Sequence, residues 1–139
     1  MLNAGPRPTT NAVLDSSAIL ALLQSEPGAA AVAALLADDD CAVSSVNLAE
    51  VASKLADRAM PPETAREAIE ALNLSPHAFT EEDAFAVGEL RAATRVRGLS
   101  LGDRACVALA SRVALRAVTM DRIWETLTLP VEVEVVQRA

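Results

Sequence analysis

Hydrophobic and polar positions follow each other in blocks that predict short buried strands, each leading into an amphipathic helix. The first block is an apolar run at Ala12–Leu14 that stops on Asp15, after which Ile19, Leu22 and Leu23 recur at helical spacing. Asp15 is therefore predicted to lie where a strand passes into a helix. In open α/β sheets, ligands bind at the edge formed by the carboxyl ends of the strands.

The same alternation continues along the chain. Further strands are predicted at residues 41–44, 115–119 and 131–136, with an irregular stretch or short strand at 73–79. Helices are predicted at residues 29–36, from 47 to about 59, from 61 to about 72, from 80 to about 97, at 100–113 and at 122–127. This order favours an α/β fold, a three-layer α/β/α sandwich around a mainly parallel sheet of four to five strands.

Length and composition fit one domain of ordinary size. Residues 11–139 of the 139-residue chain are predicted to form that domain, and residues 1–10, rich in Pro, Gly and Thr, a loose tail. The tail lacks the apolar region of a secretory signal. No apolar run reaches the roughly 18 residues that a membrane span needs. We therefore expect a cytoplasmic protein that does not associate with membranes.

Cysteine and histidine usage limits the possible chemistry. Cys41 and Cys106 lack the spacing of a metal motif, so we expect two buried free thiols in a reducing compartment. His77 is the single histidine, and no Ser/His/Asp arrangement is apparent. Nucleophilic catalysis by a histidine-assisted serine or cysteine is therefore disfavoured.

The net charge of −7 does not favour passive binding of nucleic acid. The basic residues are nevertheless clustered, because seven of the twelve lie between residues 91 and 122, and all seven are arginines. Arginine is the better planar partner for phosphate. The cluster indicates either a phosphate-binding surface or a solvated helix face held by salt bridges.

Four acidic residues lie at or near the starts of predicted helices: Asp15, Glu50, Asp103 and Asp121. Each has an ordinary alternative role in helix capping, since Asp is a favoured N-cap residue. Asn47 with Glu50, and Ser100 with Asp103, have the spacing of a capping box.

A parallel α/β sheet would bring these four acids to one edge, because right-handed crossovers place all strand-to-helix turns on the same side. Carboxylates gathered in this way repel one another unless cations neutralise them or some stay protonated. Hard oxygen ligands of this kind suit Mg²⁺ or Mn²⁺. Metal-assisted hydrolysis of phosphodiesters is the chemistry that uses such a cluster without histidine.

Four segments in this order resemble the PIN-domain family, and in particular the VapC toxins of bacterial toxin–antitoxin pairs. They are VLDSSAIL at residues 13–20, NLAEV at 47–51, LSLGDRA at 99–105 and VTMD at 118–121. The Glu-Pro-Gly turn at residues 26–28 also fits that branch. The resemblance extends from about residue 11 to the end of the chain.

The resemblance implies a set of site residues. The acidic quartet that holds Mg²⁺ or Mn²⁺ for endoribonuclease action would be Asp15, Glu50, Asp103 and Asp121. Within it, Asp15 and Asp103 match the positions most often in direct contact with metal, and the other two complete or orient the site. Ser17 and Thr119 match small hydroxyl positions near the site, while Arg104 and Arg122 are candidates for binding RNA. Gly102 departs from the family, which usually has a bulkier or alanine-like residue there.

The resemblance also implies partners. A cognate antitoxin would insert a basic side chain into the acidic cleft, and the toxin would form homodimers and toxin–antitoxin hetero-oligomers. Four leucines on the first two helices either line an antitoxin groove or belong to the core, and we favour the core: Leu20, Leu23, Leu35 and Leu36. The alternative function is a non-catalytic binding module that keeps the PIN fold as a surface for a protein partner.

Two other α/β classes fit the sequence less well. A phosphoacceptor signalling domain would need a lysine at the end of a late strand, whereas Lys54 lies in the middle of a predicted helix. A haloacid-type phosphatase would need a second aspartate two residues after Asp15, where this chain has Ser17.

Overall fold

The computed structural model describes residues 11–95 and 98–138. The predicted tail and the predicted helix end near Arg97 lie outside these residues. Five parallel strands form one sheet in the order β3-β2-β1-β4-β5. The strands are β1 Ala12–Leu14, β2 Cys41–Ser44, β3 Ser75–His77, β4 Arg116–Thr119 and β5 Val133–Val135. This arrangement confirms the predicted α/β fold with a parallel central sheet.

Within the described residues, six α-helices and one 3₁₀ helix connect the strands. They are α1 Ser16–Leu23, α2 Ala29–Asp38, α3 Ser45–Asp57, α4 Pro62–Glu70, α5 Glu81–Thr94, α6 Leu101–Val113 and the 3₁₀ helix Arg122–Thr126. Every helix in the described ranges is too short or too polar to span a membrane.

Strand β1 lies at the centre of the sheet, and its two faces look into separate hydrophobic clusters. Ala12 and Leu14 pack into the cluster that contains residues of α1 to α4, and Val13 packs into the one formed with α5 and α6. All three residues are fully buried. Because neighbouring side chains of a strand point to opposite faces, a continuous apolar run is what a strand covered on both sides requires.

The leucines of the first two helices belong mainly to the core. Leu20 is buried, and three others are partly buried against the same cluster: Leu23, Leu35 and Leu36. Cys41 and Cys106 are buried free cysteines, as expected.

The start of α3 corrects one prediction. Asn47 is not an N-cap, because β2 runs directly into the helix and Ser44 caps it by accepting a hydrogen bond from the Val46 amide. Glu50 is therefore the sixth residue of α3 and not a first-turn acid. By contrast, the predicted capping box of Ser100 and Asp103 is present.

Several of the clustered arginines hold the fold together. Arg112 forms a bidentate ion pair with the buried Asp83, at 2.9 and 3.1 Å. Burial opposes ionisation of Asp83, but the Arg112 hydrogen bond and the Thr80 amide outweigh it and hold the Asp83 pKa below its usual value. Arg116 bridges Asp39 and Glu134, each at 2.9 Å. For Arg112 and Arg116, the salt-bridge interpretation of the cluster is therefore correct.

Candidate metal centre

Asp15 occupies the junction between β1 and α1. Its amide donates to the Val118 carbonyl of β4 at 3.0 Å, which continues the sheet to this residue. Its carboxylate accepts the Ala18 amide at 2.8 Å and so caps α1. The side chain is nevertheless almost completely buried, with 2% of the residue exposed. Capping therefore accounts for one contact of a carboxylate that the fold has removed from solvent.

Two hydroxyl groups donate further hydrogen bonds to this carboxylate. Ser17 Oγ lies 2.7 Å from Asp15 Oδ1, and Thr119 Oγ1 donates to Oδ2 at 2.5 Å. Each hydroxyl oxygen also accepts a backbone amide, Met120 N for Ser17 and Asp121 N for Thr119, both at 3.0 Å. Since these amides use the acceptor side of each hydroxyl, its proton is directed at Asp15. Ser17 thus orients Asp15 from the first turn of α1, and Thr119 orients it from the end of β4.

Asp15 is difficult to ionise in this environment. Burial raises its pKa to about 6, although the hydrogen bonds from Thr119, Ala18 and Ser17 lower it and the negative charge of Asp103 raises it further. Among residues 11–95 and 98–138, the ion pairs that the structure contains do not include Asp15. A buried carboxylate outside any such ion pair is the kind of group that a bound cation would stabilise.

Glu50 approaches the same edge from α3. Its Oε1 accepts the Ser16 hydroxyl at 2.5 Å and the Asn47 amide nitrogen at 3.2 Å. Asn47 is 1% exposed, and its Nδ2 also contacts Ser16 Oγ at 2.9 Å and the Gly102 carbonyl at 3.1 Å. Asn47 therefore ties α1, α3 and α6 together beneath the carboxylate. This role of Asn47 and Ser16 was not predicted from the sequence.

Asp103 faces the site from the first turn of α6. Its Oδ2 accepts the Ser100 amide at 3.0 Å, and its own amide donates to Ser100 Oγ at 3.1 Å. Burial raises the pKa of Asp103, the Ser100 hydrogen bonds lower it, and the charges of Glu50 and Asp121 raise it. The acids at this edge are thus close enough to act on one another electrostatically.

Gly102 explains how α6 can lie so close to Glu50. A Cβ atom built at position 102 would overlap the Glu50 carboxylate, so a side chain there would force the end of the Glu50 side chain to turn away. The departure from the family pattern is therefore a local fit between Gly102 and Glu50.

Asp121 lies at the end of β4 and caps the 3₁₀ helix. Its Oδ1 accepts the Ile123 amide at 3.0 Å. Asp121 is linked to the site by its negative charge, which raises the pKa of Asp103.

A cleft of about 600 Å³ opens over this edge. Ser16, Ser17, Glu50 and Asp103 are among its lining residues. Within residues 11–95 and 98–138, no three acids, cysteines or histidines are arranged closely enough to hold a metal ion as they stand. The structure therefore brings the predicted acids to one edge, while their role as metal ligands stays a prediction.

The two predicted RNA-binding arginines are placed differently from each other. Arg104 donates to the carbonyls of Val87 and Leu99, at 3.0 and 3.3 Å, and so links α6 to α5. Arg122 is exposed at the start of the 3₁₀ helix, next to Asp121. Their contact with RNA stays a prediction.

The family model of the PIN domain matches residues 12–128. No curated protein sequence matches the chain.

Several solved structures share the fold. A chain of the VapBC2 complex of Rickettsia felis, bound to a promoter DNA fragment, is 17% identical with a TM-score of 0.69, over 90% of this chain and 98% of that one. Mycobacterium tuberculosis VapC20, described as a toxin that cleaves the sarcin–ricin loop, is 17% identical with a TM-score of 0.70, over 83% and 93%. A chain of VapBC-5 from the same organism is 21% identical with a TM-score of 0.61, over 92% and 98%.

Proposed function

The chain belongs to the PIN domain family, and from that premise we propose that it is a metal-dependent endoribonuclease of the VapC toxin type. The observation that carries the proposal is the state of Asp15. This carboxylate is buried, its pKa is raised to about 6, and it is electrostatically coupled to Asp103. Capping a helix does not require a buried charge beside a second acid, and burying an unpaired charge is costly.

The chemistry of the donor set fits a divalent cation. The edge offers carboxylate and hydroxyl oxygens, which are the ligands that Mg²⁺ and Mn²⁺ prefer. In the proposal, Asp15 and Asp103 hold the ion, and Glu50 and Asp121 complete the site. When bound, such an ion acts as a Lewis acid and offsets negative charge on a phosphodiester.

The other residues of the site position the acids. Ser17 and Thr119 fix both oxygens of Asp15 by hydrogen bonding. Asn47 and Ser16 fix Oε1 of Glu50. Gly102 leaves the space in which the Glu50 carboxylate lies beside α6. Because these partners belong to four different segments, the acids are held by the whole sheet edge and not by one loop.

RNA is the proposed substrate, and an antitoxin the proposed inhibitor. The similarity to VapC20, a toxin described as cleaving an RNA loop, and to chains of toxin–antitoxin complexes supports this assignment. The net charge of −7 favours a partner that presents basic side chains. We propose homodimers and toxin–antitoxin hetero-oligomers as the assemblies, and the cytoplasm as the compartment.

Withdrawal of metal tests the proposed activity. Purified, antitoxin-free protein should cleave RNA from a broad panel with Mg²⁺ or Mn²⁺. Excess EDTA should lower the rate by about a thousandfold or more, since the ion supplies several kcal/mol of charge stabilisation. Added Mn²⁺ beyond the EDTA should restore the rate. Cleavage that persists in EDTA would contradict the metal requirement. No cleavage together with no Mn²⁺ binding would favour the non-catalytic binding module.

A further inference from the structure

We infer that Lys54, Arg58 and Arg138 form a basic rim on the cleft and bind the phosphodiester backbone of RNA beside the acidic centre. This inference rests on the proposed function, because it names the residues that hold the substrate of the same site. All three side chains are exposed, and all three line the cleft of about 600 Å³ that contains Glu50 and Asp103.

The first two cations follow from the periodicity of α3. Glu50 and Lys54 are four residues apart on one face of α3, and Arg58, four residues further on, is the C-cap residue at the end of that helix. Each step of four residues advances about 6 Å along the helix axis. The face therefore begins with a carboxylate of the acidic centre and continues with two positive charges that lead away from it.

The third cation comes from the end of the chain. Arg138 follows β5, and its Nη2 contacts the carbonyl of Met120 at 3.4 Å. Met120 lies between Thr119, which orients Asp15, and Asp121. Cations from two segments distant in sequence thus meet at the rim of one cleft.

The rim cations are available to a ligand in a way that other arginines are not. In the part of the chain that the structure describes, the ion pairs involve Arg66, Arg112 and Arg116, and none includes a rim residue. Arg58 is oriented by the side-chain amide of Gln24 instead. When this amide is turned so that its neighbours are satisfied, its oxygen accepts a hydrogen bond from Arg58 Nε at 3.1 Å and its nitrogen donates one to Glu26 at 3.0 Å.

The chemistry of the cleft favours a phosphate backbone as the occupant. Glu26 and Asp57 also line the cleft, so its charge is mixed and does not select for anions in general. A backbone of regularly spaced phosphates can place one phosphate at the acidic centre and its neighbours on the rim. Lys and Arg bind such phosphates without regard to base sequence.

The test compares two double variants with equal loss of charge. Lys54→Gln with Arg58→Gln removes two rim cations, and Arg91→Gln with Arg95→Gln removes two exposed cations that do not line the cleft. Glutamine keeps helix propensity. The binding of a short fluorescein-labelled RNA is measured at fixed Mg²⁺ over a range of NaCl concentrations. Cleavage kinetics are measured on the same proteins.

We expect the rim variant to bind the RNA about tenfold or more weakly, and the control variant to change by less than about twofold. The slope of log affinity against log salt should become shallower by about 1.4, from about 0.7 per phosphate contact on a single strand. In cleavage, KM should rise while kcat changes little, because the rim holds substrate without contacting the reacting phosphate.

Equal RNA affinity of the rim and control variants would overturn the inference, whatever their affinity for a protein partner. The absence of RNA binding by the unmodified protein would also overturn it. Failure of the proposed nuclease is a separate outcome, in which no metal-dependent cleavage occurs while the binding difference between the variants persists. A binding difference with cleavage present supports both.

Discussion

Replacing Asp15 by asparagine is expected to abolish metal-dependent RNA cleavage while leaving the fold intact. Asparagine is an equally good N-cap and has nearly the same shape, so the hydrogen bond from the Ala18 amide can be kept. It cannot supply the negative charge that the proposed cation needs. The rate of RNA cleavage with Mg²⁺ or Mn²⁺ should fall by about a thousandfold or more.

The same change should make the stability of the metal-free protein less sensitive to pH. The pKa of Asp15 is raised from 3.8 to about 6 in the folded chain, so ionisation of this group opposes folding. Its favourable contribution is complete below pH 3.8 and is lost as the pH rises through 6. Asparagine gains no charge over this range. Urea denaturation in EDTA should therefore show that the Asp15→Asn protein gains up to about 3 kcal/mol relative to the unmodified protein between pH 3.5 and pH 8.

A matched control separates this effect from a general loss of negative charge. Glu89→Gln removes one negative charge from an exposed position of α5 and should leave RNA cleavage unchanged. Cleavage retained by the Asp15→Asn protein would contradict the role of Asp15. A stability difference between the Asp15→Asn and unmodified proteins that is the same at pH 3.5 and pH 8 would contradict the argument that burial of the Asp15 charge is costly.

Replacing Gly102 by alanine is expected to displace the Glu50 side chain. The added Cβ would overlap the Glu50 carboxylate, which is itself held by Ser16 and Asn47. Because the end of this side chain can turn away, the cost is that of its lost hydrogen bonds, and the gain in helix propensity offsets part of it. We therefore expect the free energy of unfolding to change by no more than about 1 kcal/mol. RNA cleavage should also fall, because Glu50 has to leave its position.

A double-mutant cycle tests whether the overlap with the Glu50 carboxylate causes the effect of Gly102→Ala. In a Glu50→Ala background the obstruction is gone, and Gly102→Ala should become neutral or stabilising by up to about 1 kcal/mol. Gly88→Ala in α5 is the control, since a Cβ at that position meets no atom within 4 Å, and it should stabilise the protein. An equal effect of Gly102→Ala on stability with and without Glu50 would refute this account.

Local patterns in the sequence predicted much of the fold. The apolar run at Ala12–Leu14, buried on both sides in the structure, marks the central strand. The Ser100–Asp103 spacing marks the start of α6. Each of these signals involves residues that are only a few positions apart in the chain, and propensity and capping act at that range.

The contacts that join distant segments were not predictable in the same way. The Asn47 amide reaches the Gly102 carbonyl across 55 positions, and nothing in the local pattern distinguishes this from a helix cap. Arg112 similarly forms an ion pair with Asp83 instead of adding to a shared basic surface. The spacing of Glu50, Lys54 and Arg58 could have been read as one helix face, but only the fold shows that this face lines the cleft.

Anomalous diffraction from crystals grown with Mn²⁺ tests the central claim most directly, namely that the carboxylates at this sheet edge hold a divalent cation. We predict anomalous density in contact with the carboxylates of Asp15 and Asp103, and its absence from crystals of the Asp15→Asn variant. Bound Mn²⁺ that contacts neither carboxylate, or a site that persists in the variant, would contradict the account.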